Sequence, residues 1–159
     1  MKIIFTDGAN KDFLDICERL DKSLNENVPG RIEAGCNSVF SYGNIKDVFL
    51  LYRGKTAIGS SCLWQHDDKE CELIRVFISD EHRGQRYVGK LIKKVEKLAK
   101  KKGYDKIMLR TFSSTPYAIK AYERIGYSIV SPPEIKYTDK YVNALALSDL
   151  RVYMEKKLK

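Results

Sequence analysis

The feature that most constrains the fold is an ordered series of a β-strand, a turn, a long amphipathic helix and a second β-strand. Residues 72–78 and 106–112 have the composition of strands. Between them, residues 90–102 repeat apolar side chains at helical spacing, and Gly103 follows as a helix-ending residue. Because a helical crossover of this length joins parallel strands of one sheet, the series predicts a β-α-β unit in an α/β (α+β) fold.

Further elements are predicted on both sides of this unit. Strands are predicted at residues 3–5, 48–52, 56–64, 127–130 and 150–154, with a hairpin at Arg53-Gly54-Lys55. Helices are predicted at residues 11–24, around 31–36 and at 117–125, the last capped by Ser114 or Thr115, with Pro116 in its first turn, and ended by Gly126. A regular pleat in strand 72–78 places Glu72, Ile74, Val76 and Ile78 on one face. A second β-α-β unit is predicted over residues 106–130.

Length and composition favour one intracellular domain. The chain has 159 residues, 43% of them hydrophobic, and we expect one domain over residues 1–159. It contains no apolar run near the roughly 20 residues that span a bilayer, and no signal peptide is apparent, so we expect a soluble, cytoplasmic protein with no membrane partner. Four cysteines and two histidines show no metal-binding spacing, which predicts free thiols and no metal.

The net charge of +8 favours a polyanionic partner, which includes a nucleotide cofactor, an acidic substrate or nucleic acid. Residues 90–102 carry seven lysines, but their apolar spacing indicates the solvated face of an amphipathic helix. Since no nucleic-acid motif accompanies the charge, we expect no nucleic-acid binding.

The turn before this helix is a candidate anion site. A helix start presents free backbone N–H groups and the positive end of the helix dipole, and Arg83 and Arg86 add charge there. The glycines match neither the P-loop nor the dinucleotide fingerprint.

Residues 48–127, about half of the chain, resemble GNAT acetyltransferases. The family's motif V-x-P-x-x-R/Q-G-x-G-x-G/A-x-x-L lies without a gap over residues 78–91, Ile-Ser-Asp-Glu-His-Arg-Gly-Gln-Arg-Tyr-Val-Gly-Lys-Leu. Arg86 and Val88 stand where the family has glycine or alanine. A side chain at either position must point away for phosphate oxygens to reach the backbone.

A second family motif, N-x-x-A-x-x-x-Y-x-x-x-G-F/Y, matches residues 115–127 with Thr115 in place of Asn. The resemblance implies a mixed sheet of about seven strands with about four helices on its faces, splayed between the fourth and fifth strands. It implies acetyl-CoA as co-substrate. The cofactor-binding residues implied are Val76, Phe77, Ile78, Arg83, Gly84, Gln85, Arg86, Tyr87, Val88, Gly89, Lys90, Thr115, Ala118 and Tyr122.

The resemblance also implies catalytic roles. Tyr122 occupies the position of the general acid that protonates the leaving thiolate, and Glu72 the position of a general base, which could act through water. Two alternatives stay open: Tyr122 packs as an aromatic helix residue, and Glu72 and Arg75 belong to an ion-pair network.

The implied acceptor is a primary amine on a small molecule, amino acid or peptide. Residues 25–42 and 131–146 are expected to form its site, and the positive net charge disfavours polycationic acceptors. Aromatic residues that could line it, or pack in the core instead, are Phe40, Tyr42, Trp64 and Tyr137. His66 and His82 are expected to be exposed in turns. A catalytically weak acyl-CoA-binding module is the alternative function, and the protein is expected to be a monomer or homodimer.

Overall fold

The computed structural model describes residues 1–31, 42–132 and 150–159, which form seven β-strands and three α-helices. In chain order they are β1 (Lys2–Thr6), α1 (Lys11–Asn27), β2 (Asp47–Arg53), β3 (Thr56–Gln65), β4 (Cys71–Ile78), α2 (Tyr87–Lys101), β5 (Lys106–Phe112), α3 (Pro116–Ile125), β6 (Ser128–Val130) and β7 (Arg151–Lys157). The seven predicted strands are confirmed. The predicted helix around residues 31–36 lies, beyond Arg31, outside the described residues.

All seven strands belong to one mixed sheet in the order β1-β2-β3-β4-β5-β7-β6. β1 to β4 form an antiparallel meander, and β5 lies parallel to β4, which confirms the predicted β-α-β unit. The second predicted unit differs in one respect. β7 inserts between β5 and β6 and pairs antiparallel with both, so these two strands run in the same direction without touching.

Helices cover both faces of the sheet. α2 buries Leu91, Ile92, Val95 and Ala99 on one face, and we call the cluster they form with the sheet the α2-side core. α1 buries Phe13, Ile16 and Cys17 on the other face, in the α1-side core. The opposite face of α2 exposes its lysines to solvent, as its apolar spacing predicted.

A β-bulge interrupts β4. Ser60 pairs with Phe77 and Cys62 pairs with Ile74, so β4 has one residue more than β3 between these pairs. Arg75 lies in the bulge with a left-handed φ of 52°.

The bulge reverses the alternation of side chains along β4. Before it, Ile74 faces the α1-side core, and after it Val76 and Ile78 face the α2-side core. The prediction that Glu72, Ile74, Val76 and Ile78 share one face is therefore wrong, because one inserted residue shifts a pattern whose period is two.

β4 and β5 meet at a single register pair, Glu72 with Met108. β4 continues from there to Ile78 and β5 to Phe112 without further pairing between them. The splay expected between the fourth and fifth strands is confirmed, and it opens toward the carboxyl ends of both.

Three cysteines are described, Cys17, Cys62 and Cys71, and all are free and buried. Burial raises the pKa of Cys17 to about 11 and that of Cys71 to about 12, so both thiols stay protonated at neutral pH. No helix in the described part of the chain is long and apolar enough to span a membrane.

Candidate active site

A cavity of about 410 Å³ opens at the splay between β4 and β5. Its walls come from β4, β5, the start of α2, α3, the end of α1 and the beginning of β7. The splay thus brings the two sequence motifs, which lie on α2 and α3, onto one cavity.

The start of α2 forms one end of this cavity. Its N-cap residue, Arg86, makes no capping hydrogen bond through its side chain, so the first-turn backbone N–H groups are not satisfied by it. Arg83, Gly84, Arg86, Tyr87 and Val88 line the wall here. These donors, the dipole of a 15-residue helix and the charges of Arg83 and Arg86 make this end a candidate site for an anion.

Other residues of the motif do not reach the cavity wall. Gln85, Gly89 and Lys90 are not among the lining residues, and the Lys90 ammonium lies 5.5 Å from the centre of the Tyr87 ring.

The two positions that depart from the family's glycines behave differently. Arg86 adopts a left-handed conformation with φ 61°, which costs a non-glycine residue about 1 kcal/mol. Val88 packs partly against the α2-side core. Gly84 also has a positive φ, 77°, and open space around it. The turn therefore carries conformational strain at Arg86.

Arg83 ties the turn to the end of β4. Its Nε donates to the carbonyl of Ile78 at 3.1 Å, and its Nη2 lies 2.8 Å from Asp80 Oδ1. The side chain stays 43% exposed, so its charge remains accessible at the mouth of the cavity.

The floor of the cavity is the edge of β4 that faces the splay. Val76, Phe77 and Ile78 line it, and within the described residues β5 offers none of them a register partner. Gly59 pairs with Ile78 on the other side, where an added Cβ would lie 2.8 Å from the carbonyl oxygen of Phe77. The backbone groups of β4 that face the splay can therefore hydrogen-bond an extended ligand or a carbonyl group.

Tyr122 projects from α3 and lines the cavity. It also packs against the α2-side core, and its ring meets that of Tyr127 edge-on at 6.1 Å. Burial raises the pKa of Tyr122 above its ordinary value, so the phenol is protonated at neutral pH. The geometry is compatible with both the general-acid prediction and the packing alternative, because the same side chain lines the cavity and packs against the α2-side core.

Thr115 and Ala118 lie beside it on the cavity wall. Thr115 occupies the N-cap position of α3, as predicted, but its hydroxyl donates to the carbonyl of Phe112 at 2.9 Å and does not cap the helix.

Glu72 lies on the cavity wall and is buried. Arg110 Nε donates to its Oε1 at 2.9 Å, and His66 Nε2 lies 2.8 Å from its Oε2. Burial alone would raise the pKa of Glu72, but the hydrogen bonds and charges of His66 and Arg110 outweigh it and lower that pKa. Glu72 is therefore a carboxylate in a buried ion-pair network.

Arg75 belongs to a second buried network, centred on a residue that sequence reasoning missed. Asp21 Oδ1 lies 3.0 Å from Arg75 Nη1 and 2.8 Å from Arg31 Nη2, and the hydroxyl of Tyr42 donates to Asp21 Oδ2. The signal was in the sequence, because Asp21 follows Cys17 by four positions on the apolar face of α1.

The histidine expectations need correction. The side chains of His66 and His82 are 20% and 12% exposed, so neither is an exposed turn residue. His66 lies in the predicted turn but is drawn inward by Glu72, whereas His82 lines the cavity near Arg53.

The aromatic candidates for the acceptor site fall into two groups. Tyr42 and Trp64 pack against the α1-side core. Phe40 and Tyr137 lie outside the described residues, as do most of residues 131–146. The described part of the chain contains no cluster of His, Cys, Asp or Glu able to hold a metal ion.

Solved structures resemble this fold over most or all of the chain. An acetyltransferase from Streptococcus agalactiae has a TM-score of 0.73 at 19% identity, over 99% of this chain and 98% of that one. A GNAT family acetyltransferase from Elizabethkingia anophelis with acetyl-CoA bound has a TM-score of 0.56 at 19% identity, over 70% of this chain and 76% of that one. An aminoglycoside 6′-N-acetyltransferase complexed with coenzyme A has a TM-score of 0.67 at 16% identity, over 100% and 98% of the two chains. At these identities the likeness concerns the fold alone.

Sequence comparison identifies the family. No curated protein matches the sequence. The model of the acetyltransferase (GNAT) family matches residues 21–127, which is more than half of the chain and includes both motifs, the splayed strands and the cavity wall from α1 to α3. The chain therefore belongs to the GNAT acetyltransferase family.

Proposed function

We propose that the protein transfers the acetyl group of acetyl-CoA to a primary amine on a small molecule, amino acid or peptide. The observation that carries this proposal is a single cavity that joins the anion-binding start of α2, the unpaired edge of β4 and the phenol of Tyr122. Acetyl-CoA and coenzyme A occupy two of the similar structures.

The residues present fit such a co-substrate. First-turn N–H groups of Tyr87 and Val88, with Arg83 and Arg86, would hold the pyrophosphate. The edge formed by Val76, Phe77 and Ile78 would pair with the pantetheine amides, as an added strand does. Gln85 and Lys90 would contact acetyl-CoA at the outer rim of the cavity. Thr115 and Ala118 would contact it beside Tyr122. Bound acetyl-CoA supplies a thioester carbonyl that a neutral amine can attack.

The protein's contribution to the reaction is polarisation and proton transfer. Backbone N–H groups of the β4 edge donate hydrogen bonds to the carbonyl oxygen as its negative charge grows. The Tyr122 phenol, protonated at neutral pH, donates its proton to the departing sulfur.

Glu72 is the proposed base. Its carboxylate can accept a further hydrogen bond beyond those of His66 and Arg110, and a water molecule bound there would carry the proton away from the acceptor's ammonium group before the neutral amine attacks. The lowered pKa makes Glu72 a weak base. Its main effect is therefore electrostatic, because its negative charge stabilises the positive charge that develops on the amine nitrogen during attack.

Titration calorimetry with acetyl-CoA, followed by an assay of thiol release over a panel of amines, tests the proposal. We expect saturable binding of acetyl-CoA and amine-dependent release of the CoA thiol. Absence of acetyl-CoA binding would contradict the proposal as a whole.

Substitution of Tyr122 by Phe tests the general acid. We expect kcat to fall by about 10²-fold or more with little change in acetyl-CoA affinity, since the ring still packs. Tyr127→Phe is the matched control, because it removes the neighbouring buried phenol that does not line the cavity. An unchanged kcat in Tyr122→Phe would remove the assigned role.

A catalytically weak acyl-CoA-binding module is the second candidate. The strained Arg86 favours it, because the turn departs from the family's glycines where phosphate would approach. Binding of acetyl-CoA without turnover of any amine would support this reading. Cytoplasmic location, one domain over residues 1–159, and a monomer or homodimer stay predictions.

A further inference from the structure

Backbone groups at the end of β4 alternate between β3 and the splay. Just beyond the strand, the N–H of Ser79 donates to the carbonyl of Ile58 on β3 at 2.8 Å. Successive residues of a strand direct their backbone groups to opposite sides. Counting back from Ser79, the groups of Phe77 therefore face β3, whereas those of Ile78 and Val76 face the splay.

Two contacts agree with this alternation. An added Cβ at Gly59 on β3 would lie 2.8 Å from the carbonyl oxygen of Phe77, which places this oxygen on the β3 side. The carbonyl oxygen of Ile78 instead accepts from Arg83 Nε, in the turn that follows β4. The N–H of Val76 thus faces the splay, where β5 offers it no register partner among the described residues.

A buried hydroxyl lies behind this N–H group. Ser60 has no exposed surface, and its Oγ donates to the carbonyl oxygen of Arg75 at 2.7 Å. That carbonyl and the N–H of Val76 belong to one peptide group, which is trans like every other in the described residues. Because a trans peptide is planar with its C=O and N–H on opposite sides, the hydroxyl that holds the oxygen also fixes the direction of the N–H. It also polarises the peptide group, which strengthens the N–H as a donor.

The side chain of Arg75 anchors the same peptide group from α1. Its guanidinium donates to Asp21 Oδ1 at 3.0 Å and to the carbonyl of Cys17 at 2.9 Å, and its backbone has the left-handed φ of the bulge. The peptide group is therefore held by α1 through a side chain and by β3 through its carbonyl oxygen. A donor fixed in this way needs no reorganisation when negative charge develops beside it.

We propose that Ser60 is a positioning residue for acetyl transfer, whose hydroxyl directs the N–H of Val76 at the thioester carbonyl oxygen. The proposal rests on the acetyltransferase function proposed above and specifies which backbone donor polarises the carbonyl. Ile78, the other residue that faces the splay, lies next to the turn before α2, whereas Val76 lies two residues farther from it. The hydrogen bond from Val76 strengthens as charge grows on the oxygen, so Ser60 contributes to kcat more than to binding.

Two neighbouring serines on β3 provide a matched pair of variants. Ser60 and Ser61 are both fully buried, but Ser61 Oγ has no hydrogen-bond partner in the part of the chain that the structure describes. Ser60→Ala should lower kcat by about tenfold, since the donor is misdirected and not removed, and should change the Kd of acetyl-CoA by less than about threefold. Ser61→Ala should leave both unchanged. Ser60→Cys keeps a weak donor of similar size, so its kcat should lie between those of the parent and Ser60→Ala.

Infrared difference spectra of bound acetyl-CoA, isotope-labelled at its thioester carbonyl, measure the hydrogen bond itself. A hydrogen bond to the carbonyl oxygen lowers the stretching frequency of the carbonyl. Ser60→Ala should therefore shift this band to higher wavenumber, and Ser61→Ala should leave it at the position of the parent. A purely structural role of Ser60 would lower the Tm without moving the band.

The outcomes separate this inference from the proposed function. If the parent binds no acetyl-CoA or acetylates no amine, the proposed function fails and the inference fails with it. If the parent is active and Ser60→Ala matches Ser61→Ala in kcat and band position, only the role of Ser60 is overturned. A loss of acetyl-CoA affinity as large as the loss of kcat/KM would also overturn it. Should Ser60→Ala not fold, Ser60→Cys decides, and a kcat and band equal to those of the parent would count against the inference.

Discussion

At the scale of single residues, Arg86 offers the sharpest test of the turn before α2. Its left-handed backbone suits glycine, so Arg86→Gly should raise the free energy of unfolding by about 1 kcal/mol. Arg86→Ala removes the same charge but keeps a Cβ in the strained conformation, and it should not gain this stability. Thermal melts measure the difference, and equal melting temperatures for the two variants would show that the left-handed conformation costs nothing.

The same pair of variants separates strain from charge in cofactor binding. Both lose the guanidinium, so both should bind acetyl-CoA more weakly than the parent if Arg86 pairs with phosphate. If the Gly variant binds more tightly than the parent, backbone freedom at Arg86 matters more than its charge.

Glu72 makes a prediction about pH and stability. Its folded-state pKa is lowered, so folding favours the ionised form, and the stabilisation is present above the ordinary value of 4.5 and lost as pH falls below it. Glu72→Gln should therefore reduce the loss of stability between neutral pH and pH below about 4.5. Glu70→Gln, on an exposed neighbour, is the control, and identical slopes for both variants would contradict the prediction.

Residue roles were only partly readable from the sequence. The two motifs predicted that Tyr122, Arg83 and the start of α2 lie at the site, because the spacing within a motif determines where its residues lie relative to a helix. The partners of Glu72 were not predictable, because Arg110 on β5 and His66 in the turn before β4 come close to it only when the sheet has formed. Asp21 was overlooked although a charge on an apolar helix face indicates a buried partner.

At the scale of elements, the pairing of β3 with β4 depends on a glycine. An added Cβ at Gly59 would lie 2.6 Å from Ile78 Cδ1 and 2.8 Å from the Phe77 carbonyl oxygen. Gly59→Ala should therefore lower the free energy of unfolding by about 1–3 kcal/mol and displace the β4 edge, which would also weaken acetyl-CoA binding. Denaturant unfolding and calorimetry measure the two effects.

Gly89 is the contrasting position for this experiment. It lies in the first turn of α2 with no atom within 4 Å of an added Cβ, so Gly89→Ala should not destabilise the fold. Equal stability losses in both variants would contradict the assigned role of Gly59.

Strand and helix positions followed from the sequence to within a few residues, and β5 has the predicted bounds. Two features of the sheet did not follow. The bulge at Arg75 depends on how β4 pairs with β3, and the insertion of β7 between β5 and β6 depends on pairing between distant segments. Neither feature can be recognised from the periodicity of the sequence, because hydrogen-bond register is a property of two strands together.

At the scale of the whole molecule, ligand binding should stabilise the fold. A ligand that binds only the folded state at about 100 times its Kd adds about 2.7 kcal/mol, which for a domain of this size corresponds to a rise in Tm of about 5–10 °C. We expect this rise with acetyl-CoA in a thermal melt. AMP, which lacks the pyrophosphate and pantetheine, should give little shift, and equal shifts for both would contradict binding along β4.

The single register pair of Glu72 with Met108 also gives the sheet a pivot. Ile78 lies six residues farther along β4, roughly 20 Å from the pivot at about 3.3 Å per residue, so a rotation of one degree moves that end by about 0.3 Å. A rotation of about three degrees around Glu72, where buried charges hold the strands together, would change the width of the mouth by about 1 Å.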